Sequence, residues 1–209
     1  MTLSTLALAK SAPMIPVIVI EELAHAVPLA KALVAGGITT LEVTLRTPVA
    51  LDAIRAIAAE VEGAVVGAGT LRKVADVAAC IDAGCQFGVS PGSPAALMDA
   101  VQEAGFPFLP GCASPTEAMV LAERGFEVLK FFPAGAAGGV KMLSSLASPL
   151  ADVAFCPTGG VSLKNAKDYL ALPNVVTVGG SWVCPPDMAR AEDWAGIERL
   201  ARATTDALG

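Results

Sequence analysis

One lysine, Lys130, stands inside the run Glu127-Val128-Leu129-Lys130-Phe131-Phe132-Pro133. Its neighbours are β-branched, aromatic or leucine, so the run is apolar on both faces, the pattern of a buried parallel strand. A charge in that setting is costly. A lysine is almost never fully buried unless it is paired or has given up its proton. Without that proton it is a nucleophile, able to condense with a ketone to a Schiff base. The competing reading is a packed stem whose ammonium reaches solvent at the strand end. A second stretch with chemical potential is Leu41-Glu42-Val43-Thr44-Leu45-Arg46. Side chains alternate along a strand, so Leu41, Val43 and Leu45 share one face, and Glu42, Thr44 and Arg46 the other. A carboxylate and a guanidinium on an enclosed face are costly unless paired or used. The competing reading there is a structural Glu42–Arg46 ion pair.

These residues need elements to hold them. The chain repeats a helix stop followed by a strand. Gly63, Gly84, Gly105 and Gly125 are spaced by 21, 21 and 20 residues, each just before an apolar run. A glycine past a helix is the usual left-handed stop. The interval fits one short strand plus one helix. Strands are expected at residues 15–20, 39–43, 64–67, 85–89, 106–109, 127–133, 153–157 and 175–178. Amphipathic helices are expected at 22–35, 51–61, 74–83, 95–104 and 116–123, with a terminal helix at 193–208. Eight alternating units mean a parallel sheet closed as a single-domain (β/α)8 barrel spanning residues 1–209. The segment before Ile15 is expected to be a short N-terminal helix closing the barrel bottom. An open doubly wound sheet is the alternative, but Gly67-Ala68-Gly69-Thr70 is only half of a dinucleotide fingerprint.

In a barrel, functional groups come from the C-terminal ends of the strands and the loops after them. Strand three ends at Gly67-Ala68-Gly69-Thr70 and strand six carries Lys130. Gly159-Gly160 follows strand seven and Gly179-Gly180 follows strand eight. Glycine pairs at those two places expose amides near helix starts, the phosphate cradle of this architecture.

Composition removes other classes. Of the 209 residues 54% are hydrophobic and 16% charged, which means a large core and argues against disorder. A net charge of −6 with no basic block argues against nucleic acid as a partner. Residues Leu3 to Ala9 lack a cationic flank for a signal peptide, and the run from Met14 to Ile20 is too short to span a bilayer. No membrane partner is expected. Five cysteines without a CxxC spacing read as buried free thiols in a reducing cytoplasm. A single histidine, His25, rules out every two-histidine metal site built within one chain and reads as an ordinary helix-face residue. No metal and no cofactor are expected.

Taken together, Leu41-Glu42-Val43-Thr44-Leu45-Arg46-Thr47, Gly67-Ala68-Gly69-Thr70, Lys130-Phe131-Phe132-Pro133-Ala134, Phe155-Cys156-Pro157-Thr158-Gly159-Gly160 and Gly179-Gly180-Ser181-Trp182 resemble the bacterial KDPG/KHG aldolases. The likeness runs from Pro16 to Trp182. It implies a class I aldolase acting on 2-keto-3-deoxy-6-phosphogluconate, and in many members also on 4-hydroxy-2-oxoglutarate. It implies a cytoplasmic homotrimer of (β/α)8 barrels with a small phosphorylated keto acid as partner. By motif, Lys130 would form the Schiff base and Glu42 would be the general acid/base. Arg46 and Thr70 would hold the pyruvyl carboxylate, and Gly159, Gly160 and Ser181 the phosphate. Phe132, Thr158 and Gly180 complete the implied substrate-binding set. One position departs: Gly135 stands where the family usually has glutamate. Two other classes share parts of this pattern. A sugar-phosphate isomerase or epimerase would use the cradle and Glu42 as base. A non-catalytic barrel would bind an anionic metabolite. Neither needs a buried amine.

Overall fold

The computed structural model describes residues 4–209. Strands and helices alternate along it. The strands are Met14–Ile18 (β1), Thr40–Thr44 (β2), Val65–Gly69 (β3), Phe87–Val89 (β4), Phe108–Leu109 (β5), Gly111–Cys112 (β6), Val128–Phe131 (β7), Ala154–Pro157 (β8) and Val178–Gly180 (β9). The helices are Thr5–Lys10 (α1), Ala26–Ala35 (α2), Ala50–Glu60 (α3), Val74–Asp82 (α4), Ala95–Glu103 (α5), Pro115–Glu123 (α6), Gly139–Leu146 (α7), Ala166–Leu170 (α8), Pro186–Arg190 (α9) and Trp194–Leu208 (α10). The helix-stop glycines Gly63, Gly84, Gly105 and Gly125 all have φ between 60° and 87°. That is the conformation that ends a helix and that side chains with a Cβ resist.

All strand pairs are parallel. One sheet has the order β5-β4-β3-β2-β1-β9 and the other β6-β7-β8. The single fifth strand expected at 106–109 is two short segments with Pro110 between them. Proline has no N–H to give to a ladder. Leu109 still pairs with Val89, whereas Gly111 lies opposite Lys130. The Pro110 carbonyl accepts the Lys130 N–H at 2.9 Å, so the chain changes partner across the proline. Between β8 and β9 only isolated parallel bridges form, Phe155 with Val175 and Thr158 with Gly179. The ring expected as one continuous ladder is therefore two parallel sheets bridged at these points.

Two apolar layers explain why the strand sequences are apolar on both faces. Leu41, Val43, Leu129, Phe131 and Phe155 pack with helix residues such as Leu33, Ile54, Leu121 and Ile197. On the other face Ile15, Phe87, Val89, Leu109, Val128 and Cys156 form a smaller cluster with Leu8 and Ala9 of α1. Helix α1 is started by Ser4, whose hydroxyl accepts the Ala7 N–H at 3.1 Å. Of the stretch 3–9, Leu3 lies outside the described residues, and the rest leads into this helix. The alternation that sends Leu129 and Phe131 toward the helices turns Lys130 to the side of Val128 and Cys156. Glu42, between Leu41 and Val43, faces the same way.

Several boundaries shift from expectation: strand 15–20 is Met14–Ile18, strand 64–67 is Val65–Gly69, strand 85–89 is Phe87–Val89 and strand 175–178 is Val178–Gly180. Residues 22–35 are not one helix: Leu23–His25 is a 3-10 turn and the α-helix begins at Ala26. Strand β7 ends at Phe131 rather than Pro133, because Pro133 cannot donate to a ladder.

Candidate active site

Strands β2 and β7 bring Glu42 and Lys130 together across 88 residues of sequence. The Lys130 ammonium Nζ donates to Glu42 Oε1 at 3.1 Å, with side chains only 5% and 4% exposed. Among the ion pairs of the described residues, only this one is buried at both ends. Two buried charges are costly even when paired, so this pair is a poor source of stability and a natural source of chemistry. The Phe132 ring covers Lys130, with Nζ 5.6 Å from its centre. The floor under Glu42 is Gly69. A Cβ there would run into the Glu42 carboxylate and would stand 2.7 Å from its Cγ. Gly67 likewise makes room for the Phe87 ring. The glycines of Gly67-Ala68-Gly69 are thus space for two side chains, not a nucleotide loop.

The structural Glu42–Arg46 ion pair does not form. Strand β2 ends at Thr44, and Arg46 lies past it, exposed. Its Nε donates to Thr70 Oγ1 at 3.2 Å. Thr70 has φ of 65°, a region that β-branched residues avoid. Such strain gathers at functional sites. Thr44 shares the polar face, but its hydroxyl is spent on the Ile18 carbonyl at 2.9 Å.

A hollow opens at Phe132, the ring that covers Lys130; Lys130, Glu42 and Thr70 do not themselves line it. It is lined by Val17, Arg46, Phe132, Thr158, Gly159, Gly160, Val161, Gly180 and Ser181. Seven of those nine were expected from sequence as substrate-binding residues; Val17 and Val161 were not. Gly159 and Gly160 have φ of 90° and 78°. A Cβ on Gly159 would press on the Phe132 ring at 3.2 Å. The second glycine pair differs from expectation. Gly179 and Gly180 lie in and at the end of β9, not after it, because the close approach of Thr158 and of the Trp182 ring demands glycine there. The helices after both pairs start late, at Ala166 and Pro186, and are five residues long, so loop residues, not helix ends, line the hollow.

Gly135 sits at the rim. Its N–H donates to the Gly159 carbonyl at 2.9 Å, just as Ala134 donates to Thr158. A Cβ at Gly135 would make ordinary contacts at 3.5 Å or more, so neither backbone nor space requires glycine.

Sequence reading took Cys156 as a buried free thiol and missed its place beside Lys130. It lies opposite Lys130 on β8 and is buried. Burial pushes its thiol up to about 12, with Lys130 pulling down and Glu42 pushing up. All five cysteines are free and buried. His25 lies away from the hollow, at the end of its 3-10 turn. Its Nε2 is 3.6 Å from Glu192 and its ring meets Trp194 edge-on. Among the described residues no group of three or more His, Cys, Asp or Glu side chains is placed to hold a metal. No helix among them is long and apolar enough to cross a membrane.

The family model described as KDPG and KHG aldolase matches residues 6–200. The chain is 52% identical over 190 residues to the KHG/KDPG aldolase of Escherichia coli, covering 91% of this chain and 89% of that one. It resembles the crystal structure of the KDPG aldolase of Legionella pneumophila holding pyruvate as a covalent carbinolamine. That likeness has a TM-score of 0.94 and 44% identity, over 97% and 98% of the two chains. It also resembles the Zymomonas mobilis 2-keto-3-deoxy-6-phosphogluconate aldolase with 3-phosphoglycerate, at TM-score 0.93 and 43% identity, over 98% and 96%.

Proposed function

The chain belongs to the KDPG and KHG aldolase family, and we propose that it is a class I aldolase cleaving 2-keto-3-deoxy-6-phosphogluconate to pyruvate and glyceraldehyde 3-phosphate. The observation that carries this reading is the buried contact of Lys130 Nζ with Glu42 Oε1. As Lys130 gives a proton to Glu42, its amine becomes free to attack the C2 ketone. Addition gives a carbinolamine, and a proton returned from Glu42 lets water leave, forming the iminium. The iminium is an electron sink. When the C4 hydroxyl loses its proton to Glu42, directly or through water, the C3–C4 bond breaks. Its electron pair moves to C3 and the iminium nitrogen, and glyceraldehyde 3-phosphate departs. The remaining enamine takes a proton at C3, and water releases pyruvate and restores the lysine.

Arg46 and Thr70 hold the carboxylate in this reading, supported by their mutual hydrogen bond at the rim. A bound carboxylate fixes C2 near Lys130 and lowers the entropy of attack. The Phe132 ring and Thr158 wall the path from Lys130 to the phosphate end. There Gly159, Gly160, Gly180 and Ser181 hold the phosphate. 4-Hydroxy-2-oxoglutarate is a second substrate of the same site, giving pyruvate and glyoxylate. It keeps every pyruvyl contact and forgoes the phosphate end, and the Escherichia coli relative carries both names.

The two bridged sheets close, in this proposal, into one (β/α)8 barrel that makes up a single domain. The support is the pairing of β1 with β9 and the bridges between β8 and β9. Assembly as a homotrimer and work in the cytoplasm belong to the same proposal. Exposed Val74, Ile81, Met119 and Val120 offer apolar surface for assembly, and the five free thiols suit a reducing compartment. Sedimentation of the purified protein reads the first.

The direct test is turnover of 2-keto-3-deoxy-6-phosphogluconate by the purified protein, with and without EDTA. Pyruvate and glyceraldehyde 3-phosphate are expected in equal amounts under both conditions. No cleavage, or cleavage abolished by EDTA and restored by a divalent ion, would contradict the reading.

A further inference from the structure

Ser181 lines the phosphate end of the hollow but belongs to a connection, not to a strand. Something must fix it. Its carbonyl accepts the Cys184 N–H at 3.2 Å, which closes a turn over residues 181–184. Trp182, the next residue, lies so close over Gly180 that a Cβ there would overlap its six-membered ring. The far edge of the indole is held too. Trp182 Nε1 donates to Thr204 Oγ1 at 3.1 Å, linking this turn to α10. Thr204 is 1% exposed, a buried hydroxyl on a helix, and Trp182 is half-buried. Buried hydroxyl and indole groups need partners, and each of these is the partner the other has.

Helix α10 is itself firmly placed. Ala201 packs so closely on Gly36 that no side chain fits there. Thr205 Oγ1 donates to the Gly36 carbonyl at 3.1 Å and Arg202 to the Ala35 carbonyl. The indole is thereby gripped between the backbone of β9 and a helix tied to the end of α2. Thr204 also lies beyond the residues the family model matches, 6–200.

We infer that Thr204, acting through Trp182, is a positioning residue for the phosphate end of the substrate. It holds the turn that aims Ser181 and the Gly180 backbone into the hollow. It touches no substrate. The inference rests on the reading of Ser181 as a phosphate contact.

The test compares Thr204→Val, Trp182→Phe, their double variant, Thr204→Ser, Ser181→Ala and Gly160→Val. Valine keeps the shape of threonine, so Thr204→Val removes the hydrogen bond with little change in packing, whereas Trp182→Phe also loses much of the ring packed on Gly180, and Thr204→Val is therefore the deciding variant. Each variant is assayed for cleavage of 2-keto-3-deoxy-6-phosphogluconate and for exchange of pyruvate's methyl protons with solvent. Thr204→Val should raise KM for the phosphorylated substrate about fivefold to tenfold, the worth of one hydrogen bond, and Trp182→Phe at least as much. Exchange should stay within about twofold, Thr204→Ser should restore KM, and the double variant should be no worse than Trp182→Phe alone. Unchanged KM in Thr204→Val, or exchange falling in step with cleavage, would overturn the inference. If neither Ser181→Ala nor Gly160→Val raises KM for the phosphorylated substrate, the phosphate reading has failed instead.

Discussion

Glu42 sits over a glycine that can be nothing larger, and it touches the one amine buried beside it. Glutamine at this position keeps the volume but cannot take a proton. Glu42→Gln should lower turnover by roughly 10²–10⁴-fold, the usual effect of a positioned acid/base. Adduct formation should slow without vanishing, and near-normal turnover would reduce Glu42 to a structural partner of Lys130. At the other end of the hollow, Gly160 has φ of 78°, a conformation that a β-branched side chain resists, so valine there would strain the loop that lines the hollow. Gly160→Val should cut cleavage of the phosphorylated substrate strongly and barely affect proton exchange into pyruvate. Part of the loss can appear in kcat, since remote binding energy also serves the chemical step. Equal losses in both assays, with circular dichroism unchanged, would mean that the glycines shape the whole mouth. Lys130 and Glu42 were legible because a charge inside an apolar run needs a reason. Gly69 was not, because its reason is a side chain 27 positions away in the chain, visible only once β2 and β3 pair.

At the scale of elements, periodicity and stop signals gave the order of strands and helices. The break at Pro110 was readable as a missing donor, but the change of partner from β4 to β7 is a tertiary fact. Helix α6 shows how a loop at the functional end is fixed. Ser114 Oγ accepts the Glu117 N–H, and the Glu117 carboxylate accepts the N–H groups of Ala113 and Ser114 at 2.8 and 2.9 Å. The Ala113 amide, against a smaller opposing effect of burial, holds the Glu117 carboxyl below its ordinary value, with Ser114 helping. A lowered folded value means the stabilisation is present above the unfolded carboxyl value and is lost as pH falls through the folded one. Ser114→Ala should cost about 1 kcal/mol, the usual worth of such a cap, read as a lower urea midpoint. An unchanged midpoint would mean that the tertiary packing of α6 alone holds its start.

Taken whole, the molecule holds three of its thiols protonated chiefly by burial. Cys112, Cys156 and Cys184 are each pushed up to about 12, mainly by loss of solvent around the thiolate. These folded values lie above the unfolded thiol value of roughly 8.5. The stabilisation they contribute is therefore complete below the unfolded value and is lost as pH rises toward the folded one. Between pH 8 and 10 the loss should approach roughly 2 kcal/mol for each thiol, at the limit set by the linkage relation. Urea unfolding in reducing buffer should show a lower midpoint at pH 10, and Cys184→Ala should remove one thiol's share of the drop. Identical midpoints at pH 8 and 10 would contradict it. The cysteine count suggested buried free thiols from the sequence, but the place of Cys156 next to a charged pair follows only from the pairing of β8 with β7.

The central claim is that Lys130 forms a Schiff base, and borohydride trapping with pyruvate tests it most directly. Reduction should leave one pyruvyl adduct per chain by intact mass, and peptide mapping should place it on Lys130. Lys141, exposed in the first turn of α7, is the internal control. Lys130→Ala should abolish both trapping and cleavage. An adduct that persists in Lys130→Ala, or one that maps to Lys141, would contradict the account.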